Sequence, residues 1–129
     1  MHHIEFWVAN LEESIYFYSR LFAIIGWKPL NKVAFGTGKS EIYFKEVDEK
    51  IVRTLGPRHI CYQAVSRAIV DEVADLLRDV QAKIIRGPIE MNHYSDGYYT
   101  VDFYDPNGFV VEVAYTPNVE WKCDEASMK

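Results

Sequence analysis

Two histidines stand out because each opens a strand-like segment of this sequence, and one glutamate stands out within a third such segment. His3 opens the stretch HIEFWV, His59 opens the stretch HICYQA, and Glu112 lies in the later stretch VVEVAY. Two imidazoles and one carboxylate can bind three neighbouring positions around a transition-metal ion and leave the others open to substrate or water. A divalent ion held in this way can polarise a carbonyl or enolate oxygen. The three residues therefore predict a site for Mn, Fe, Ni or Zn.

The alternation of side chains along a strand indicates which residues would surround that ion. In the first stretch, Ile4, Phe6 and Val8 form an apolar face that should pack under a helix, which turns His3 to the opposite, inward face. The same reasoning turns His59 and Glu112 inward on their own strands. The other site residues expected on inward faces are Glu5, Trp7, Cys61, Gln63, Thr100 and Asp102.

The candidate site residues have two expected roles. Glu112 itself, Asp102 and Glu5 carry carboxylates, which can move a proton in general acid–base catalysis. Cys61 could be a small packing residue or a redox-sensitive thiol beside the metal. The side chains expected to contact substrate are Trp7, Tyr43, Cys61, Gln63, Tyr98 and Thr100.

An internal repeat supplies the elements that would position these residues. His3 and His59 are 56 positions apart, and each begins a strand that is followed by a helix. Asn10, with a glutamate three residues later, is typical of a helix start, and Ser66 has the same place before the second helix. Three further strands follow each helix, and the turn Asp105-Pro106-Asn107-Gly108 joins the last two.

The repeated order of strand, helix and three strands predicts an α+β fold. Two βαβββ modules, at about 1–47 and 57–116, would form a curved mixed sheet, a cup with the helices on the outside, within one domain spanning 1–129. The segment 117–129 is expected to be a loose tail. A bulge at Gly108 would place Thr100 directly opposite Glu112 in the last hairpin. The concave face between the modules is where a small substrate would bind.

Composition weighs against other classes of partner. The net charge is −5, from 14 basic and 19 acidic residues, and no cluster of Lys or Arg could bind a nucleic-acid backbone. The longest apolar runs are far shorter than the roughly 20 residues that span a bilayer. Two cysteines, Cys61 and Cys123, do not form a disulfide framework. We therefore expect a cytoplasmic protein whose partner is a small molecule.

With these residues in place, the chain resembles the vicinal oxygen chelate superfamily, which includes glyoxalase I, bleomycin-resistance proteins, fosfomycin-resistance enzymes and extradiol dioxygenases. The matching stretches are HIEFWVANLEESIYFY from His3, RHICYQ from Arg58 and YDPNGFVVE from Tyr104. The resemblance covers roughly residues 2 to 116. It implies two βαβββ modules in a cup around a divalent metal, with ligands at His3, His59 and Glu112.

This sequence differs from the family pattern at one expected metal ligand. Glyoxalase I and several relatives use a fourth ligand, a Glu or Gln on the last strand of the first module. The matching position here is Tyr43, with Glu41 on the same strand face. Because tyrosine binds a divalent ion well only when deprotonated, this difference argues against glyoxalase I activity. The remaining ligands resemble those of extradiol dioxygenases and fosfomycin-modifying enzymes, although the last two strands lack a basic cluster for a phosphonate.

Two functions remain open from the sequence. The first is a metal-dependent enzyme that acts on a small oxygenated substrate by lyase, isomerase or dioxygenase chemistry. The second is a metal-free protein that sequesters an aromatic drug-like compound, as bleomycin-resistance proteins do. A homodimer is compatible with either function, and relatives that exchange modules would bring His3 of one chain to His59 and Glu112 of the other.

Overall fold

The computed structural model describes residues 1–48 and 59–118 of the chain. Its elements follow the predicted repeat of strand, helix and three strands. The first module contains β1 (His3–Val8), α1 (Leu11–Ile25), β2 (Lys28–Asn31), β3 (Ala34–Gly36) and β4 (Glu41–Glu46). The second contains β5 (His59–Ala64), α2 (Arg67–Asp79), β6 (Ile84–Glu90), β7 (Tyr99–Tyr104) and β8 (Val110–Tyr115).

Both helices begin at the predicted capping residues. The Asn10 side chain accepts a hydrogen bond of 3.0 Å from the backbone N–H of Glu13. Ser66 accepts one of 3.2 Å from the N–H of Ile69 at the start of α2. α1 ends at Gly26, whose φ of 96° is the left-handed conformation that glycine adopts without strain. Local chemistry thus fixes where each helix begins and where α1 ends.

Each module forms its own four-stranded mixed sheet. The strand orders are β1-β4-β3-β2 and β5-β8-β7-β6. In each sheet the first and last strands of the module pair in parallel, and the remaining neighbours are antiparallel. The identical order in both sheets confirms the α+β fold of two βαβββ modules. We call the face of each sheet that its helix leaves uncovered the inner face.

The hydrophobic core is continuous between the two modules. Phe22 of α1 contacts Tyr62 of β5, with ring centroids 5.4 Å apart, and Trp27 meets the same tyrosine edge-on at 5.6 Å. Phe17 lies 6.2 Å from Phe103 of β7. These contacts bury the helix side of both sheets in one cluster of apolar side chains, so the modules form one packed unit.

Polar contacts from the β7–β8 turn join the modules as well. The hydroxyl of Tyr18 donates a 2.6 Å hydrogen bond to Oδ2 of Asp105, and both residues are buried. Oδ1 of Asn107 accepts from the N–H of Ala9, and its Nδ2 donates to Oγ of Ser14, both at 3.0 Å. The turn of the second module thereby holds the start of α1 in the first.

The register predicted for the last hairpin is wrong by two residues. Asp102 lies directly opposite Glu112, and Thr100 lies opposite Ala114. The cause is the turn itself: Oδ1 of Asp105 accepts the N–H groups of Asn107 and Phe109, at 2.9 and 2.8 Å. This closed turn pairs Tyr104 with Val110, with no bulge within the ladder. Because side chains alternate between the two faces of a strand, a shift of two residues leaves each side chain on the same face. Thr100 and Asp102 therefore still share the inner face with Glu112.

Some predictions fall on other parts of the chain. Most of the segment between the two predicted modules, most of the predicted tail at 117–129, and Cys123 lie outside the described residues. Within the described residues, neither helix has the length and apolar character needed to cross a membrane.

Candidate functional site

The second module brings two of the three predicted metal ligands together on its inner face. Cys61 of β5 pairs with Glu112 of β8, which puts His59 one diagonal step from the glutamate. Nε2 of His59 lies 3.3 Å from Oε1 of Glu112. The His59 side chain is 45% exposed, whereas that of Glu112 is only 8% exposed. An almost buried carboxylate therefore has an accessible imidazole beside it.

The other oxygen of Glu112 is occupied by two hydroxyl groups. Tyr98, just before β7, donates a 2.7 Å hydrogen bond to Oε2 of Glu112. Thr100, which is fully buried, donates to the same oxygen, also at 2.7 Å. Both side chains lie on the inner face because they are two positions apart on an extended segment. The structure therefore places these two predicted substrate contacts against the carboxylate.

Asp102 forms an ion pair that the sequence reasoning missed. Its Oδ2 accepts a 2.6 Å hydrogen bond from Nη2 of Arg86, on the neighbouring strand β6. The pairings of Cys61 with Glu112, Glu112 with Asp102, and Asp102 with Arg86 make one row across the sheet. Arg86 follows two isoleucines and precedes Gly87 and Pro88 in β6. The register of that strand shifts twice around it, so spacing alone does not align it with Asp102.

Burial around Glu112 shifts the ionisation of its neighbours. Burial, and then the charge of Glu112, raise the pKa of Asp102, although Arg86 opposes this shift. The same two causes raise the pKa of the Cys61 thiol to about 12, even though the residue as a whole is exposed. Burial and the hydrogen bond to Glu112 raise the pKa of Tyr98. At neutral pH Cys61 is therefore a protonated thiol and Tyr98 a hydrogen-bond donor.

The inner face of the first module carries the third predicted ligand. His3 is exposed, its Nδ1 lies 2.9 Å from Nδ1 of His2, and its ring meets Tyr43 edge-on at 5.8 Å. Tyr43 donates a 2.5 Å hydrogen bond to Oε1 of Glu41. Tyr43, which is expected to match the position of the fourth ligand, is thus bonded to the glutamate beside it.

The remaining predicted residues lie on exposed parts of the inner faces. Nε1 of Trp7 donates to Oε2 of Glu5 at 3.0 Å, and 43% of Trp7 is exposed. Gln63 donates from Nε2 to Oγ1 of Thr116 at 3.3 Å. Glu5 and Trp7 belong to the first module, so they are not part of the His59–Glu112 cluster.

A small cavity of about 140 Å³ lies where the two sheets approach each other. Its lining includes His3 and Glu41 from the first module and Cys61 and Tyr62 from the second. Nevertheless, among residues 1–48 and 59–118 no group of three His, Cys, Asp or Glu side chains is arranged to hold a metal ion. One chain thus unites His59 with Glu112 and leaves His3 apart from them.

Solved structures with this fold come from several bacteria. A candidate glyoxalase from Bacillus halodurans is 26% identical, with a TM-score of 0.76, and the match covers 89% of this chain and 94% of that one. A glyoxalase/dioxygenase from Nostoc punctiforme is 20% identical over 91% and 90% of the two chains, with a TM-score of 0.69. A glyoxalase/bleomycin resistance protein from Albidiferax ferrireducens is 17% identical over 89% and 98%, with a TM-score of 0.73.

A family model assigns the chain to a superfamily, and the structures above agree with that assignment. No curated protein shows significant sequence similarity to the chain. The family model of the glyoxalase/bleomycin resistance protein/dioxygenase superfamily matches residues 1–113, which is most of the sequence. The matched segment contains all three predicted metal ligands and ends within β8 of the second module. The chain therefore belongs to the glyoxalase/bleomycin resistance protein/dioxygenase superfamily.

Proposed function

We propose that this chain is a divalent-metal-dependent enzyme that acts on a small oxygenated substrate, with lyase, isomerase or dioxygenase chemistry. The observation that carries the proposal is the approach of Nε2 of His59 to Oε1 of Glu112, at 3.3 Å, on an accessible inner face. Imidazole nitrogen and carboxylate oxygen suit Mn, Fe, Ni and Zn. A nearly buried carboxylate also needs a positive partner, which a cation supplies. The pair fits such an ion.

His3 is the third ligand in this proposal, and a second copy of the chain supplies it. In a single chain His3 is exposed on the inner face of the first module, separate from the pair in the second. A homodimer that places the first module of one copy over the second module of the other brings the three side chains together. This arrangement gives each dimer two sites.

The side chains around the ligands have distinct tasks. The ion, when bound, supplies Lewis acidity toward a substrate carbonyl or enolate oxygen. Asp102 is better placed than Glu5 to move a proton, because it pairs directly with Glu112 across the sheet. Arg86 fixes the orientation of the Asp102 carboxylate through its 2.6 Å hydrogen bond. Cys61 and the exposed aromatic side chains of the inner faces contact the substrate.

Metal content tests the ligand set directly. Protein purified without chelator should contain close to one equivalent of a divalent metal per chain, and His59→Ala should lose it. His93→Ala is the matched control, because His93 lies in an exposed loop and its ring contacts Tyr94. Metal content that is unchanged in His59→Ala would show that the ion, if any, binds elsewhere.

A mixing experiment tests whether the site is shared. In a heterodimer of His3→Ala and Glu112→Ala chains, one of the two shared sites would have all three ligands, so the purified heterodimer should bind half as much Co²⁺ as the wild-type dimer. A site within one chain would be incomplete in both chains, and no binding would return. The control is His2→Ala mixed with Glu112→Ala. It changes the residue next to His3 and leaves the three proposed ligands intact in the His2→Ala chain.

Binding of an aromatic compound without metal is the second candidate function. The observation in its favour is the indole of Trp7, which is 43% exposed on the inner face and available for stacking. A tight, stoichiometric complex with a planar aromatic drug such as bleomycin, unchanged by EDTA and weakened by Trp7→Ala, would favour this function over the metalloenzyme.

A further inference from the structure

The two carboxylate oxygens of Glu112 have different surroundings. Oε2 accepts hydrogen bonds from the hydroxyls of Tyr98 and Thr100, both at 2.7 Å. Oε1 instead lies toward Nε2 of His59, at 3.3 Å. A carboxylate oxygen has two lone pairs in its plane, so two short O–H donors satisfy Oε2. Oε1 is therefore the oxygen that faces the accessible imidazole of His59, where a cation could bind.

We infer that Tyr98 and Thr100 are positioning residues that make Glu112 a ligand through Oε1 alone. The inference rests on the proposed function, because it concerns how the chain presents this glutamate to the ion. It gives the two hydroxyls a role different from the substrate contact expected of them. With Oε2 occupied, Glu112 does not chelate an ion with both oxygens, and a coordination position stays open for substrate.

The strands hold both hydroxyls in place. Thr100 is 0% exposed and lies opposite the small side chain of Ala114, diagonally next to Glu112. Its β-branched side chain has few rotamers, which fixes the direction of the hydroxyl. Tyr98 reaches the same oxygen from the segment before β7, and its ring packs edge-on against Tyr94, with centroids 5.2 Å apart. Neither donor needs to move when an ion approaches Oε1.

The binding of Co²⁺ alone tests the inference without any assay of turnover. Groups that orient a metal ligand typically contribute about 10-fold to 100-fold to metal affinity. Tyr98→Phe and Thr100→Val should each weaken Co²⁺ binding by about this range in isothermal titration calorimetry. The visible absorption spectrum of bound Co²⁺ should also change, because Glu112 becomes free to bind through both oxygens.

Two matched variants separate positioning from general damage to the fold. Tyr99→Phe removes a similar hydroxyl, but this one donates to Oδ1 of Asp71, at 2.6 Å, on the helix side of the sheet. Thr100→Ser keeps the hydroxyl that Thr100→Val removes. Tyr99→Phe should retain the wild-type affinity and spectrum, and Thr100→Ser should bind Co²⁺ more tightly than Thr100→Val. Thermal unfolding of every variant identifies any that has lost its fold.

The outcomes are distinct. Wild-type protein that fails to bind Co²⁺ contradicts the proposed function, and the inference falls with it. Wild-type binding that Tyr98→Phe and Thr100→Val match in affinity and spectrum overturns the inference and leaves the proposed function standing. An equal loss in Tyr99→Phe or Thr100→Ser also overturns it, because the effect would not depend on a hydroxyl at Oε2.

Discussion

Replacing Tyr18 by Phe should destabilise the protein by breaking a buried hydrogen bond between the modules. The Tyr18 hydroxyl donates to Oδ2 of Asp105 at 2.6 Å, and the two residues are 1% and 5% exposed. Hydrogen bonds to charged groups contribute about 1.5–3 kcal/mol, and the lost donor leaves Oδ2 without this partner in a buried place. We therefore expect the free energy of unfolding at pH 7 to fall by about 1.5–3 kcal/mol.

The pH dependence of this loss has a defined sign. Burial raises the pKa of Asp105, so its contribution to stability is full below the ordinary aspartate pKa and is lost as the pH rises through the raised value. The Tyr18 hydroxyl opposes this effect, because it binds the ionised carboxylate and lowers its pKa. Tyr18→Phe should therefore be more destabilising at pH 7, where Asp105 is ionised, than at a pH below the ordinary aspartate pKa.

Urea denaturation followed by circular dichroism measures the loss in free energy of unfolding and how that loss depends on pH. The control is Tyr16→Phe, because Tyr16 is 59% exposed on the same helix. Its hydroxyl accepts a hydrogen bond from the partly exposed Arg20. That variant should stay within about 0.5 kcal/mol of wild type, as surface substitutions usually do. A Tyr18→Phe protein as stable as Tyr16→Phe, or one whose deficit is equal at both pH values, would refute the reasoning.

Two further predictions concern local backbone structure. Asn10→Ala should lower the free energy of unfolding by about 1 kcal/mol because it removes the cap of α1, whereas Asn10→Ser should retain most of the stability; equal losses in thermal or urea unfolding would contradict the capping role. Gly87→Ala should be more harmful, because Gly87 has a φ of 98° and an added Cβ would lie 2.3 Å from the carbonyl oxygen of Thr100. Gly38→Ala is its control, since Gly38 has a φ of 90° but open space around the added atom, and Gly87→Ala no less stable than Gly38→Ala would show that the close approach is unimportant.

Features that depend on local chemistry were predictable from the sequence. The helix starts at Asn10 and Ser66 follow from side-chain oxygens that bond backbone N–H groups, whatever the rest of the chain does. The inner faces follow from strand alternation, which is why His59, Glu112 and Asp102 were placed on one side of one sheet. The repeat itself was visible because each module needs the same apolar face under its helix.

Features that depend on contacts between distant segments were not predictable. The register of the last hairpin is set by the turn, in which two backbone N–H groups bond to Oδ1 of Asp105. The same carboxylate is held through Oδ2 by Tyr18 of the other module. Arg86 was missed because irregular pairing of β6 determines which residue faces Asp102. The separation of His3 from the His59–Glu112 pair depends on how the modules pack, and nothing in the spacing of the histidines encodes that packing.

The contacts of the β7–β8 turn with α1 have a consequence for the order in which the chain can fold. Asn107 is 98 positions from Ala9 and 93 from Ser14, and Asp105 is 87 positions from Tyr18. Contacts of such long sequence separation form late, because closing a long loop costs conformational entropy before the contact can stabilise the chain. During synthesis, the first module emerges before Asp105 and Asn107, so the hydroxyls of Tyr18 and Ser14 bond to water at that stage. It must wait for nearly the whole chain before that helix is secured, so the two halves of the repeat are not independent in folding even though they are alike in structure.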